Sequence, residues 1–379
     1  MTPPGPPRPD PHPRTSIAPT RRERLLLAAA VAVVSAVLVV VVTAHGRGLN
    51  AFDQLWVGAR AMLAGTDPYA LVGPGRALAQ KAPNYYPATA MIAVLPLAWL
   101  ELELARAVFF GLSAGVLAFA ATRDGYARMP MFLSGSFMLA LLSQQWAPLL
   151  TASLFLPAMA WAYAAKPNIG LALFAARPTR AALAWAAAGA IVLGAASLAL
   201  RPSWPAEWVA IARSAPHIRA LVRHPAGPLV LLALLRWRRP EARLLVALAC
   251  VPHSTLFYEA LPLLLVVPET ERQVRALWAL SWIGTLVQIV LVFLPGYDFF
   301  GDHVYAVGEL MLALVYLPCV ILVLRRPNVA PADLPMPGWV ERAGRALSRL
   351  RERVTAHGPG GAAARAWSRA NAPITVKQP

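Results

Sequence analysis

Apolar runs alternate with short polar connections from Leu25 to Leu324. The runs 25–44, 104–122, 181–200, 276–294 and 305–324 are each long enough to cross roughly 30 Å of hydrocarbon as helices. Shorter runs lie between them: 88–100 with Pro96 inside it, 131–143, 149–165, 168–176, 228–237, and 244–267, which Pro252 and Pro262 interrupt. The pattern predicts an all-α polytopic membrane protein with 9 to 11 membrane helices, some partial or re-entrant, and no soluble catalytic domain. No stretch shows the repeated alternation that a transmembrane barrel needs. Arg123 and Arg128 return the end of 104–122 to the side of the N-terminal tail if 88–100 is a re-entrant half-helix rather than a crossing.

The most informative polar stretch, 45–87, follows the first long run and is read as the first extracytoplasmic loop. Phe52, Trp56, Ala59 and Leu63 fall on one face of a short helix starting near Asp53, which is expected to lie in the membrane interface. Gly65 supplies a helix stop, and Thr66-Asp67-Pro68-Tyr69 a turn. Asp53 then stands just outside the hydrocarbon, either as the cap of that helix or as a reactive carboxylate at the mouth of a cavity.

Composition agrees with the patterning. Of 379 residues, 58% are hydrophobic and 14% charged, and mean hydropathy is +0.53. The net charge of +17 gathers at the ends: residues 1–24 hold five Arg against Asp10 and Glu23, and residues 325–379 hold nine Arg and Lys377 against three acids. Basic tails beside spans mark a cytoplasmic side and anionic lipid as partner rather than nucleic acid, so both termini are expected in the cytoplasm. Residues 1–24 read as a disordered tail, 25–324 as the membrane domain, and 325–379 as a tail with a basic amphipathic helix from Pro337. The run 25–44 is too long for the core of a cleavable signal peptide. Cys250 and Cys319 lie in apolar runs with no metal spacing.

Several polar groups interrupt the apolar pattern. Arg213, His217, Arg219, Arg223 and His224 form a basic loop, read either as solvated interface or as a site for a lipid phosphate, which arginine binds in bidentate fashion. Pro252 breaks a helix just before His253, Tyr258 and Glu259, and an acid inside an apolar run is a functional candidate unless it is a satisfied polar pair at a kink. Lys166-Pro167 either ends a helix at the interface or faces the same cavity, and Gln144-Gln145-Trp146 resembles an interfacial belt. Asp67 reads as the cap of its turn. No Walker loop, dinucleotide fingerprint or Ser/His/Asp arrangement is readable, and no βαβ pattern offers a nucleotide-sugar domain.

Taken together, Asp53, the Gly65-Thr66-Asp67-Pro68-Tyr69 turn, Tyr85-Tyr86-Pro87 with Pro96-Leu97, Lys166-Pro167, and Pro252, His253, Tyr258 and Glu259 resemble glycosyltransferase family 87. These are polyprenol-phosphate-dependent mannosyltransferases of the C superfamily. The chain departs from them at Ser143-Gln144-Gln145, where the family shows a Gly-Gln element, and in the short interval from there to Lys166. The resemblance implies a bacterial inner-membrane enzyme that moves a hexose, mannose by analogy, from a polyprenyl phosphate to a lipid or glycan hydroxyl, with inversion and without a cofactor. It implies Asp53 as general base, and the break at Pro252 is expected to bring His253 to the same cavity. Arg213, Arg219, Arg223, His217 and Lys166 then serve the donor phosphate, and Asp67, Tyr69, Tyr85, Tyr86, Gln145, Tyr258 and Glu259 the substrate cavity. A transporter or lipid flippase is the alternative; paired repeats with matching broken segments would favour it, and no repeat is visible.

Overall fold

A computed structural model describes residues 19–45, 51–80, 82–214, 219–254, 256–293 and 302–328, with 342, 345, 346, 348 and 349 farther on. Those last five are helical and exposed; the rest of the expected amphipathic helix lies outside the described residues. The chain is mostly helical. In order come α1 (Arg21–Ala44), α2 (Ala51–Leu63), α3 (Ala88–Ala93), α4 (Leu102–Ala121), α5 (Gly135–Leu142), α6 (Ala147–Ala152) and α7 (Pro167–Ala176). Then follow α8 (Arg180–Leu200), α9 (Trp204–Arg213), α10 (Pro240–Cys250), α11 (Leu261–Val266), α12 (Glu271–Phe293), α13 (Asp302–Met311) and α14 (Leu317–Leu324). 3-10 helices occupy Leu95–Trp99, Met129–Leu133, Pro157–Ala164, Leu221–Arg223, Gly227–Arg236 and Phe257–Ala260, and a π-helical turn joins α13 to α14. The strands are two-residue ladders: β1 (Val72–Gly73) parallel to β2 (Leu78–Ala79), and β3 (Arg219–Ala220) antiparallel to β4 (Pro252–His253).

Among the described residues, five helices are long and apolar enough to cross a membrane: α1, α4, α8, Glu271–Leu291 of α12, and Ala306–Leu324 across α13 and α14. These are the five long runs of the sequence. The shorter runs do not become further full-length helices. Proline divides them, standing in the first turn of α6, α7, α10 and α11 and of the 3-10 helices Pro157–Ala164 and Gly227–Arg236. That position suits a residue with a fixed φ and no N–H to donate.

Helix α1 starts from a capping box between Thr20 and Glu23 and packs along α4. The two run antiparallel: Arg24 donates to the carbonyl of Phe119 at 2.6 Å, while Gly115 lies against Ala28 and Gly111 against Ala32 and Ala36. The missing side chains of Gly111 and Gly115 allow this approach, since a Cβ on either would press on a backbone carbonyl of α1. Antiparallel packing brings the start of α4 back to the end of α1, so 88–100 enters and leaves on one side of the helix pair. The re-entrant reading expects this path. The segment is α3 followed by the 3-10 helix Leu95–Trp99, and it leaves Trp99 80% exposed.

The opposite end of the fold carries arginines that cap helix C-termini. Arg24 binds the end of α4, Arg128 the carbonyls of Ala121 and Leu265, and Arg243 those of Ala175 and Ala176. Arg236 binds those of Leu324 and Arg326, and Arg326 that of Val267. Carbonyls of a last helical turn lack intrahelical partners and carry partial negative charge, so a guanidinium there satisfies both demands. This arginine face gathers the start of α1 and the end of α14.

Three helical hairpins rise from the arginine face into the interior. They are α5 with α6, Pro157–Ala164 with α7, and α10 with the Phe257–Ala260 and α11 segment. Helix α7 has 10 residues and α10 has 11. Each therefore rises roughly 15 Å, about half the hydrocarbon thickness. Their tips are Gln144-Gln145, Lys166, and His253 with Ser254.

Candidate functional site

Asp53 lies in the first turn of α2, 4% exposed, and both carboxylate oxygens are taken up by Arg106 of α4. Nε donates to Oδ1 at 2.7 Å and Nη2 to Oδ2 at 2.6 Å, the bidentate geometry of strong charge-assisted pairs. Asp53 is thus buried within the protein, held against α4. The face of α2 turns with it. Phe52, Leu55, Ala59 and Met62 are buried, Trp56 is half-buried, and Leu63, expected on the apolar stripe, is exposed. Each carboxylate oxygen accepts one N–H from Arg106 and keeps a lone pair for a second partner.

Arg106 was not among the candidates read from the sequence. A signal for it was present, however: a lone cation inside an apolar run demands a partner, and Asp53 was without one. Phe52 stacks on Phe109 of α4 with centroids 4.8 Å apart, and Phe109 meets Trp146 edge-on at 5.0 Å. These rings carry the packing from Asp53 to the tip of the α5–α6 hairpin.

A parallel hydrogen-bonded path runs through the loop before α3. Asn84 donates to the carbonyl of Gln54, its own Oδ1 receives the amide of Tyr86, and the Tyr86 hydroxyl donates to Gln145 at 2.9 Å. Gln144, Gln145 and Trp146 are buried, which corrects the reading of an interfacial belt. They form an interior turn in which Gln144 has a φ of 45°, a left-handed conformation uncommon for a residue with a side chain. Its amide is bound to the carbonyls of Leu141 and Leu142, which holds the turn.

The other two hairpin tips meet in a buried ion pair. Lys166, ahead of Pro167 at the start of α7, lies 2.5 Å from Glu259 Oε1, and its ammonium stands 5.2 Å from the centre of the Tyr258 ring. Glu259 is 3% exposed. The Tyr258 and Ser254 hydroxyls share a hydrogen bond of 3.0 Å, and Asn168 donates to the carbonyl of Pro252 at 2.6 Å. Glu259 therefore has a protein partner of its own and needs no ligand to offset its charge. Helix α10 ends at Cys250, and the next residues extend into the β3–β4 ladder. This ladder sets buried His253 opposite Arg219. The break expected at Pro252 is there, and it joins the basic loop to the hairpin.

The remaining candidates are scattered around this centre. Asp67 caps its turn by accepting the Tyr69 amide at 2.9 Å, and stands 3.8 Å from Arg201. The buried Tyr69 hydroxyl donates to the carbonyl of Tyr86, and burial pushes its pKa above the ordinary tyrosine range. The Tyr85 carbonyl receives the Trp208 indole at 2.9 Å. Arg213, Arg219 and Arg223 are exposed, and His217 lies outside the described residues. His224, the other histidine of the loop, is buried against Glu309 at 3.1 Å. Arg201 forms a bidentate pair with Glu207 of α9, and these hydrogen bonds hold the Glu207 carboxyl below its usual range. Among the described residues no three of His, Cys, Asp and Glu group as metal ligands.

Compared with models of protein families, with curated proteins and with solved structures, the chain matches none. The functional reading therefore rests on geometry and residue chemistry.

Proposed function

We infer that the chain is a membrane hexosyltransferase that draws its sugar from a polyprenyl phosphate and passes it to a hydroxyl acceptor. The observation that supports this reading best is a clamped, buried carboxylate inside an apolar helical shell, next to a hydrogen-bonded path that runs from the Gln54 carbonyl through Asn84 and Tyr86 to Gln145. A passive span has no use for Asp53, Gln145, Lys166, Tyr258 and Glu259 at such depth, because each must be matched by a partner.

In the proposed reaction Asp53 takes the proton of the acceptor hydroxyl on a lone pair that Arg106 leaves open. The acceptor oxygen attacks the anomeric carbon, and the bond from that carbon to the phosphate oxygen breaks with its electron pair. Polyprenyl phosphate departs as an anion, and the anomeric centre inverts. Arg106 acts as a positioning residue that fixes the plane of the carboxylate. Lys166 and Arg219 are the cations proposed to stabilise charge on the leaving phosphate. As Lys166 is bound to Glu259, donor phosphate has to share or displace that carboxylate.

The test is incubation of the purified chain in proteoliposomes with radiolabelled polyprenyl-phosphate hexoses and an extract of lipid acceptors. A new covalent product is expected. Movement of intact labelled lipid between leaflets without a product would instead support the flippase reading.

A further inference from the structure

A second polar site lies at the other end of the molecule. Arg106 and Ala121 are separated by roughly 22 Å along α4, and the cavity sits beyond the Ala121 end, on the arginine face. It encloses about 410 Å³ and is lined by Arg128, Phe155, Arg177, Glu241, Val266, Pro268 and Glu269. The lining comes from the base of each hairpin: the turn after α4, the end of α6, the end of α7, the first turn of α10, and the connection from α11 to α12.

Its chemistry is of two kinds. Arg128 and Arg177 present guanidinium groups, and the Arg128 group stacks over the Phe155 ring at 5.0 Å. Glu241 and Glu269 present carboxylates, bridged from behind by Arg326 at 3.6 and 3.2 Å and by Arg239 at 3.6 Å to each. Those two arginines offset the two acids, and Asp124 stands 3.8 Å from Arg128, so the positive excess at the cavity is that of Arg177, whose Nη1 also donates to the carbonyl of Leu154. Two polar atoms here are unsatisfied: Glu241 Oε2 and Arg326 Nη1 are both buried without a hydrogen-bond partner, and Arg326 Nη1 stands 3.6 Å from the other Glu241 oxygen, outside hydrogen-bond distance. A buried acceptor in that state calls for a donor. Val266, Pro268 and Phe155 give the same cavity apolar walls.

We propose that this cavity binds a phosphate ester that carries its own hydrogen-bond donor, of the phosphoethanolamine type. The phosphate lies between Arg128 and Arg177, and the ammonium donates to Glu241. Arginine suits the first role through its planar fork, and a carboxylate suits the second through a charge-assisted bond. The position at the mouths of five helical elements is headgroup depth for a membrane protein of this shape, so a phospholipid is the source expected. The site is independent of the transferase reading, since it shares no residue with it.

The experiment uses the full chain, purified in detergent, and native mass spectrometry with added phosphatidylethanolamine or phosphatidylcholine of matched acyl chains. The two lipids share the phosphate but only the first has N–H donors. About tenfold tighter retention of the ethanolamine lipid is expected, the scale of one charge-assisted hydrogen bond. Glu241→Gln should abolish that preference, and Arg177→Gln should weaken retention of both lipids. Free phosphoethanolamine separates the sources: failure to displace the lipid supports a headgroup site, and displacement supports the same chemistry from a soluble ester. Equal retention of both lipids by the unmodified chain, a preference that survives Glu241→Gln, or retention unchanged by Arg177→Gln overturns the proposal. The lipid comparison is made on the unmodified chain and depends on no variant folding.

Discussion

Asp53 and Arg106, 53 positions apart in the sequence, meet through two hydrogen bonds of 2.7 and 2.6 Å inside the protein. The pair fastens α2 to α4 and so fixes the loop face relative to the helical shell. It also makes Asp53 a residue with two roles, one in the fold and one in the proposed chemistry.

The structural role predicts energetic coupling. Truncating one partner leaves the other buried and uncompensated, so Asp53→Ala and Arg106→Ala should each destabilise by roughly 3–5 kcal/mol. The double variant should lose less than the sum of the two, with a coupling energy of about 1–3 kcal/mol in a cycle measured by unfolding in detergent. Additive losses would show that the pair does not hold the fold together.

Lys166 and Arg223 should differ sharply in donor use. Lys166 lies inside the polar cluster, whereas Arg223 is exposed in the basic loop. Lys166→Gln should raise KM for the polyprenyl-phosphate sugar by roughly 10- to 100-fold, the scale of one or two lost charge-assisted bonds, and Arg223→Gln should change it little. An unchanged KM for Lys166→Gln, in protein that remains monodisperse, would remove Lys166 from the donor site.

Antiparallel α1 and α4 predict which positions share a side. Cysteines placed at the exposed Thr66 and Ser203 should react together with an impermeant thiol reagent, and one at Asp124 should react only from the opposite side. The background lacks Cys250 and Cys319. Labelling of the Thr66 and Asp124 sites from the same side of a sealed membrane would contradict the path traced for 88–100.

Helix α4 tolerates no added bulk where it touches α1. Gly111→Val and Gly115→Val should each destabilise by about 1–3 kcal/mol, since a Cβ there meets carbonyl oxygens at 2.8 and 2.9 Å. Gly194→Ala in α8 has nothing within 4 Å and should be neutral or stabilising by up to about 1 kcal/mol. Thermal unfolding of the three variants side by side makes the comparison.

The sequence reveals the long helices because a span of about 20 apolar residues is written in local composition. The break at Pro252 and the cap at Asp67 are equally local and equally legible. The three short hairpins are not. An apolar run of 13 to 17 residues such as 131–143 or 149–165 does not say whether it continues as α-helix, tightens to 3-10 or turns back inside the protein. The Gln144 turn shows this well, because its left-handed backbone and buried amide are set by tertiary packing. Partners were harder still. Glu259 and Lys166 each stood out as ions in apolar surroundings, but their contact joins positions 93 apart. Arg106 was hidden because it sat in a segment that the period of apolar residues had already explained.

Transfer of labelled hexose from polyprenyl phosphate by the unmodified chain and by Asp53→Asn tests the central claim most directly. The carboxamide of the Asp53→Asn variant would still accept one hydrogen bond from Arg106 but offers no base, so size-exclusion profiles first establish that the variant is folded. The account predicts a labelled lipid or glycan product from the unmodified chain and a loss of turnover of roughly 100-fold or more in Asp53→Asn. Near-normal turnover by folded Asp53→Asn, or no product from the unmodified chain with any polyprenyl-phosphate hexose, would contradict it.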